Sequence, residues 1–115
     1  HYVMPVVEIV PPATADFFSA EVKYTGVTDE ICPGRFSATT RDELFATAKV
    51  VHRALGLRHY SRSDFMVATD RIYFLEVNTL PGLTEASLFP KAIEAVGGTY
   101  RELVTHLLRL ARNEV

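Results

Sequence analysis

Glu76 and Asn78 stand two positions apart near the end of an apolar run, LEVNTLPG, just before Pro81-Gly82. Side chains alternate along a strand, so a carboxylate and an amide at this spacing share one face. Arg62 and Asp64 repeat the pattern upstream in RSDF. The two alternating runs, residues 60–68 and 72–78, flank Thr69-Asp-Arg71 and predict a hairpin. In such a hairpin, directly opposed residues have position numbers with a constant sum. A three-residue loop pairs Ala68 with Ile72, which sets Asp64 opposite Glu76 and Arg62 opposite Asn78. A two-residue loop would send these pairs to opposite faces. Opposed carboxylates have Cβ atoms about 4.5–5.5 Å apart and repel each other. The arrangement asks for a cation. Two carboxylates and an amide carbonyl, with no thiol or imidazole, suit Mg²⁺ or Mn²⁺ completed by water and phosphate oxygens. Arg62 would add a planar donor fork for a phosphate. The plainer alternatives are a solvated acidic face and an Arg62–Asp64 ion pair.

Other elements must position that face. Residues 3–10 predict a strand stopped by Pro11-Pro12. Residues 13–38 predict a long loop with a short extended piece near Ala20–Tyr24. Thr40 and Glu43 have capping-box spacing, and Leu44, Ala48, Val51 and Leu55 mark one face of a helix closed by Gly56. His52 lies beside that stripe, half-buried or facing solvent. A short helix is expected over residues 87–96, ended by Gly97-Gly98. Thr99 and Glu102 form a second capping box, before a helix whose stripe is Tyr100, Leu103, Val104, Leu107 and Ala111. These elements predict an α+β fold, an antiparallel sheet with helices packed on one face, in one unit spanning 1–115. Hydrophobic residues are 48% and net charge is −2, which gives no global pull toward nucleic acid or an anionic membrane. No apolar run approaches a membrane span. The lone Cys32 excludes an internal disulfide and reads as a loop residue, and scattered histidines argue against structural zinc. Ser87 and Pro90 sit where a helix starts; an anion could bind there, or Ser87 could simply cap it.

RSDF followed by IYFLEVNTLPGLTEASLFPKA closely resembles the C-terminal end of the ATP-grasp fold in D-alanine–D-alanine ligases. MPVVEIVPP, EVKY and EICP resemble earlier segments of the same family, so the likeness covers nearly the whole chain. The resemblance implies the C-terminal lobe of an ATP-grasp domain. It also implies that ATP phosphorylates the carboxylate of one D-alanine and that the amine of a second displaces phosphate. By position, Asp64, Glu76 and Asn78 match the residues holding two Mg²⁺ (or Mn²⁺) ions, with Glu76 bridging them. Arg62 and the Gly82 N–H match donors that stabilise the charge developing in the reaction. Ser87 and Leu88 match the site of the second D-alanine carboxylate. Lys23 matches a lysine near the terminal phosphates, Tyr24 a tyrosine facing the second substrate, and Phe17 an aromatic near the nucleotide. FFSAEVKY departs from the family's usual pattern at Ser19 and Ala20.

The same likeness implies that the N-terminal and central lobes are absent and that the piece is inactive by itself. The parent would be a cytoplasmic enzyme of bacterial wall-precursor synthesis, with room for a homodimer. The alternatives are another ATP-grasp carboxylate–amine ligase, of D-lactate or D-serine type, and a non-catalytic interaction domain that kept the fold.

Overall fold

Ser37 starts the first helix, α1 (Ala38–Ala54), in the computed structural model of the chain, which describes residues 1–12, 29–69 and 71–114. The Ser37 side chain accepts from the Thr40 N–H at 3.2 Å, satisfying a donor with no partner inside the helix. The capping box expected at Thr40 is therefore not the helix start. Ser37 lies three residues earlier and already reaches the third helical amide. At the other end Gly56 adopts φ 61°. Its N–H bonds Arg53 O and the Leu57 N–H bonds His52 O, both at 3.0 Å, a Schellman closure that favours glycine. Leu44 is buried, and Ala48 and Val51 are half-buried as the spacing predicts. Leu55, just past the last turn, is exposed.

Among the described residues the strands form two antiparallel pairs. β1 (Glu8–Val10) pairs with β2 (Asp29–Ile31), with Glu8 opposite Ile31. Only the last three residues of the expected first strand join a ladder. β2 falls where a loop is expected, because Asp-Glu-Ile is too short and too polar to show alternation. Glu8 anchors this corner. Its carboxylate accepts from Arg35 Nε at 3.1 Å, Arg35 Nη2 at 3.0 Å and the Arg35 backbone N–H at 2.9 Å. These bonds, the side-chain ones foremost, hold the Glu8 carboxyl below its ordinary value. A depressed carboxyl stabilises the fold above its unfolded value, and that contribution fades as pH falls from about 4.5 through the folded value. We expect Glu8→Gln to flatten the acid limb of a stability–pH curve below that point and to lower neutral stability by the amount the limb loses. A limb as steep as in the parent chain would remove Glu8 as its source.

α2 (Leu88–Glu94) packs on α3 (Tyr100–Ala111). Pro90, almost fully buried, is the third residue of α2, where its missing N–H interrupts no helical bond. A Lys91–Glu30 ion pair ties α2 to β2. The Thr99–Glu102 capping box forms as expected, with Thr99 Oγ1 accepting from the Glu102 N–H at 3.2 Å and Glu102 Oε2 accepting from the Thr99 N–H at 2.9 Å. Leu103 is the buried centre of the α3 stripe. Tyr100 is 42% exposed and Ala111 is also exposed, so the stripe is narrower than its spacing suggests.

The remaining pair is the hairpin of β3 (Arg62–Val67) and β4 (Ile72–Asn78), and α1 packs against both strands. Its turn differs from the expected one. Val67, not Ala68, opposes Ile72, and Ala68 N–H bonds Arg71 O at 2.8 Å.

Candidate functional site

Two residues out from the turn, the ladder pairs Phe65 with Phe74; one step further, it pairs Asp64 with Glu76. The step skips Leu75, which is therefore the extra residue of a β-bulge. The bulge decides the site. Continued unbroken from the turn, the register would set Asp64 against Leu75 and Arg62 against Val77, scattering the polar groups over both faces. With the bulge, Arg62 opposes Asn78 and Asp64 opposes Glu76, as the simpler three-residue loop also predicts, but by a different route. Leu75 itself is 57% exposed, so no core packing accounts for its place.

On this face Arg62 Nε donates to Asp64 Oδ1 at 2.8 Å and Arg62 Nη2 to Oδ2 at 3.0 Å. The bidentate fork is shielded, with side-chain exposures of 21% and 24%. The ion pair weighed from sequence is thus present. It leaves metal binding open, because an ionised carboxylate has about four acceptor positions and the fork takes two. Asn78 Nδ2 lies 3.5 Å from Glu76 Oε1, which leaves the carbonyl oxygen on the other branch of the amide. Among the described residues no three His, Cys, Asp or Glu side chains converge on one point. The donor set is two opposed carboxylates and an amide, with arginine beside them. That set fits a hard divalent cation that takes its other ligands from water and phosphate, and does not fit an all-protein cage.

Beyond β4 the chain turns through Pro81-Gly82 toward α2. Ser87 holds the N-cap position but makes no cap bond with its side chain, so capping is not its local role. Its Oγ instead accepts from the Thr84 N–H at 3.1 Å and lies 2.7 Å from Thr84 Oγ1. A Cβ on Gly82 would come within 2.9 Å of that Oγ. Gly82, Thr84 and Ser87 thus form one small cluster. Tyr60 braces it: its ring lies 5.1 Å from Phe89, and its hydroxyl reaches Pro81 O at 3.5 Å.

The structure therefore brings together Arg62, Asp64, Glu76 and Asn78 on one face, and Gly82 and Ser87 in the following loop. Leu88 opens α2 beside Ser87. Phe17, Lys23, Tyr24 and the extended piece near them lie outside the described residues. Burial pushes the Cys32 thiol up, consistent with an unreactive loop residue. Residues that spacing did not single out are Thr84, whose hydroxyl precedes Ser87 by three, and the bulged Leu75. His52 was expected at the margin of its helix and is instead buried, at 9% exposure.

An antiparallel hairpin carrying this donor set, backed by a helix and leading through a Pro-Gly loop into another, defines the C-terminal lobe of an ATP-grasp domain. Residues 1–109 match the family model described as D-ala D-ala ligase C-terminus, and the chain belongs to that family. A D-alanine–D-alanine ligase of Syntrophobacter fumaroxidans is 40% identical over 109 residues, which cover 94% of this chain and 35% of that protein. One of Maridesulfovibrio salexigens is 38% identical over 112 residues, 96% of this chain and 37% of that protein. Among solved structures, the Bacillus anthracis ligase complexed with ATP superposes with a TM-score of 0.79 at 28% identity, over 96% of this chain and 34% of that one. D-alanyl-alanine synthetase A of Vibrio cholerae gives 0.76 at 30% identity, over 97% and 34%. The chain spans about a third of the length of the curated relatives it matches.

Proposed function

We propose that this chain is the metal- and phosphate-binding part of an ATP-dependent D-alanine–D-alanine ligase acting in wall-precursor synthesis in the bacterial cytoplasm. The observation that carries the proposal is the bulged register that sets Asp64 opposite Glu76. Asp64, Glu76 and Asn78 would hold two Mg²⁺ or Mn²⁺ ions, Glu76 serving both. When bound, such ions neutralise triphosphate charge and polarise the phosphoryl group in transfer.

The chain's own groups supply the rest of the charge stabilisation. Arg62 points its guanidinium along the same face, and its bond to Asp64 orients it there before any phosphate arrives. The Gly82 N–H is a fixed donor for the oxygen that turns anionic when an amine attacks an acyl phosphate. In that attack the C–N bond forms, the C–O bond to phosphate breaks, and the amine loses a proton. Ser87 and Leu88, where α2 begins, would take the carboxylate of the second D-alanine. Lys23 and Phe17 would face ATP, and Tyr24 the second substrate; retaining tyrosine there favours an amine nucleophile and a dipeptide product.

The remaining lobes of the parent would complete the site, and the parent has room for a homodimer. Leu75 and Leu80, 57% and 82% exposed, are apolar surface that such lobes could cover. The test is turnover. We expect ATP- and D-alanine-dependent phosphate release from the intact protein and none from these 115 residues. Release by the 115 residues alone would overturn the boundary reading, and preference of the intact protein for D-lactate or D-serine would overturn the substrate assignment.

A further inference from the structure

His52 sits in the last turn of α1 with its ring buried. Its Nδ1 lies 2.7 Å from Ser61 Oγ, while Nε2 has no hydrogen-bond partner among the described residues. A buried nitrogen without a partner opposes folding, and an apolar side chain of similar size would avoid that penalty. The bond to Ser61 is what histidine supplies here and leucine cannot. Ser61 is the residue immediately before Arg62. By alternation its side chain faces α1, while Arg62 and Asp64 face the other way, onto the acidic face.

We infer that His52, through Ser61, is a positioning residue that locks the start of β3 and so aims the Arg62–Asp64 fork. The bond pins the backbone one residue ahead of the fork, where the chain enters β3. Its neighbours fit this role: the His1 ring packs edge-on against His52 at 4.9 Å, and Leu57 N–H bonds His52 O where the helix closes. The importance of the lock for metal binding rests on the function proposed above; its effect on the fork does not.

The test uses the full chain and two readouts, hydrogen exchange of the Arg62 Nε–H followed by ¹⁵N NMR and affinity for Mn²⁺ added alone. We expect Ser61→Ala and His52→Leu each to speed that exchange about tenfold, the size of one net hydrogen bond. Mn²⁺ affinity should fall by about three- to tenfold in each. Combining the two should add little, because both remove one interaction. His52→Asn, whose amide overlays the Nδ1 position, should restore both readouts; an apolar packing role would not be rescued by asparagine. Unchanged Arg62 exchange in folded Ser61→Ala overturns the inference. An Asp64→Asn control separates the two ideas: if it leaves Mn²⁺ affinity intact, the metal reading fails, while the exchange result still decides whether His52 positions the fork.

Discussion

Replacing Glu76 with glutamine should lower ligation by the intact protein about a thousandfold and raise, not lower, the melting temperature of the metal-free chain. The two effects share one cause. Asp64 and Glu76 are a directly opposed pair on one face. Like charges in that relation destabilise an antiparallel pair by about 0.2–1 kcal/mol. Glutamine keeps the shape and can still accept from Asn78 while removing the repulsion. At about 4–8 °C per kcal/mol, the gain is roughly 1–8 °C. With ions held as proposed above, the same change would remove a charged ligand. A deficit of about 4 kcal/mol in transition-state stabilisation corresponds to about three powers of ten in rate. Asp64→Asn should damage turnover similarly yet lower stability, because it weakens the shielded fork with Arg62. The opposite signs in thermal unfolding, together with the shared loss of turnover, separate a metal cradle from a merely acidic surface. A destabilised Glu76→Gln chain, or one of unchanged turnover in the intact protein, would refute the cradle.

Leu44→Ala should abolish cooperative folding of the isolated chain or bring its unfolding near room temperature. Among the described residues the buried apolar side chains are Leu44, Ala92 and Leu103, at 3%, 5% and 6% exposure, with Pro81 and Pro90 beside them. Of these, only Leu44 lies on α1, the helix that backs the hairpin. Truncating a buried leucine costs about 2–5 kcal/mol, and whole domains are stable by only about 5–15 kcal/mol. With so few fully buried apolar side chains among the described residues, truncating one of them removes a large share of that margin. Val50 on the same helix is 63% exposed, so Val50→Ala should leave stability within about 0.5 kcal/mol of the parent. Circular dichroism melts of the two variants make the comparison. Equal melts would mean that α1 does not hold the hairpin through Leu44.

Some of this was legible in the residues. The Thr99–Glu102 box, the Gly56 closure and the grouping of Arg62 with Asp64 and of Glu76 with Asn78 all depend on neighbours within four positions. Local backbone geometry settles such features before any distant contact forms. Even there, a second candidate could mislead: Ser37 outcompeted Thr40 because the helix begins one turn earlier than the first strong apolar residue suggests.

Composition and alternation determined that this protein carries a carboxylate-and-amide face on a hairpin, with helices behind it, in a chain of modest charge. Tertiary structure decided which carboxylates meet. The turn register by itself would have parted them, and the bulge at Leu75 brought them opposite each other. It also decided that β2 exists, that Ser87 turns toward Thr84, and that His52 goes inside to reach Ser61. The physical reason is range: alternation and capping are fixed by adjacent dihedrals, whereas strand pairing and burial depend on contacts between segments that no short window of the chain contains.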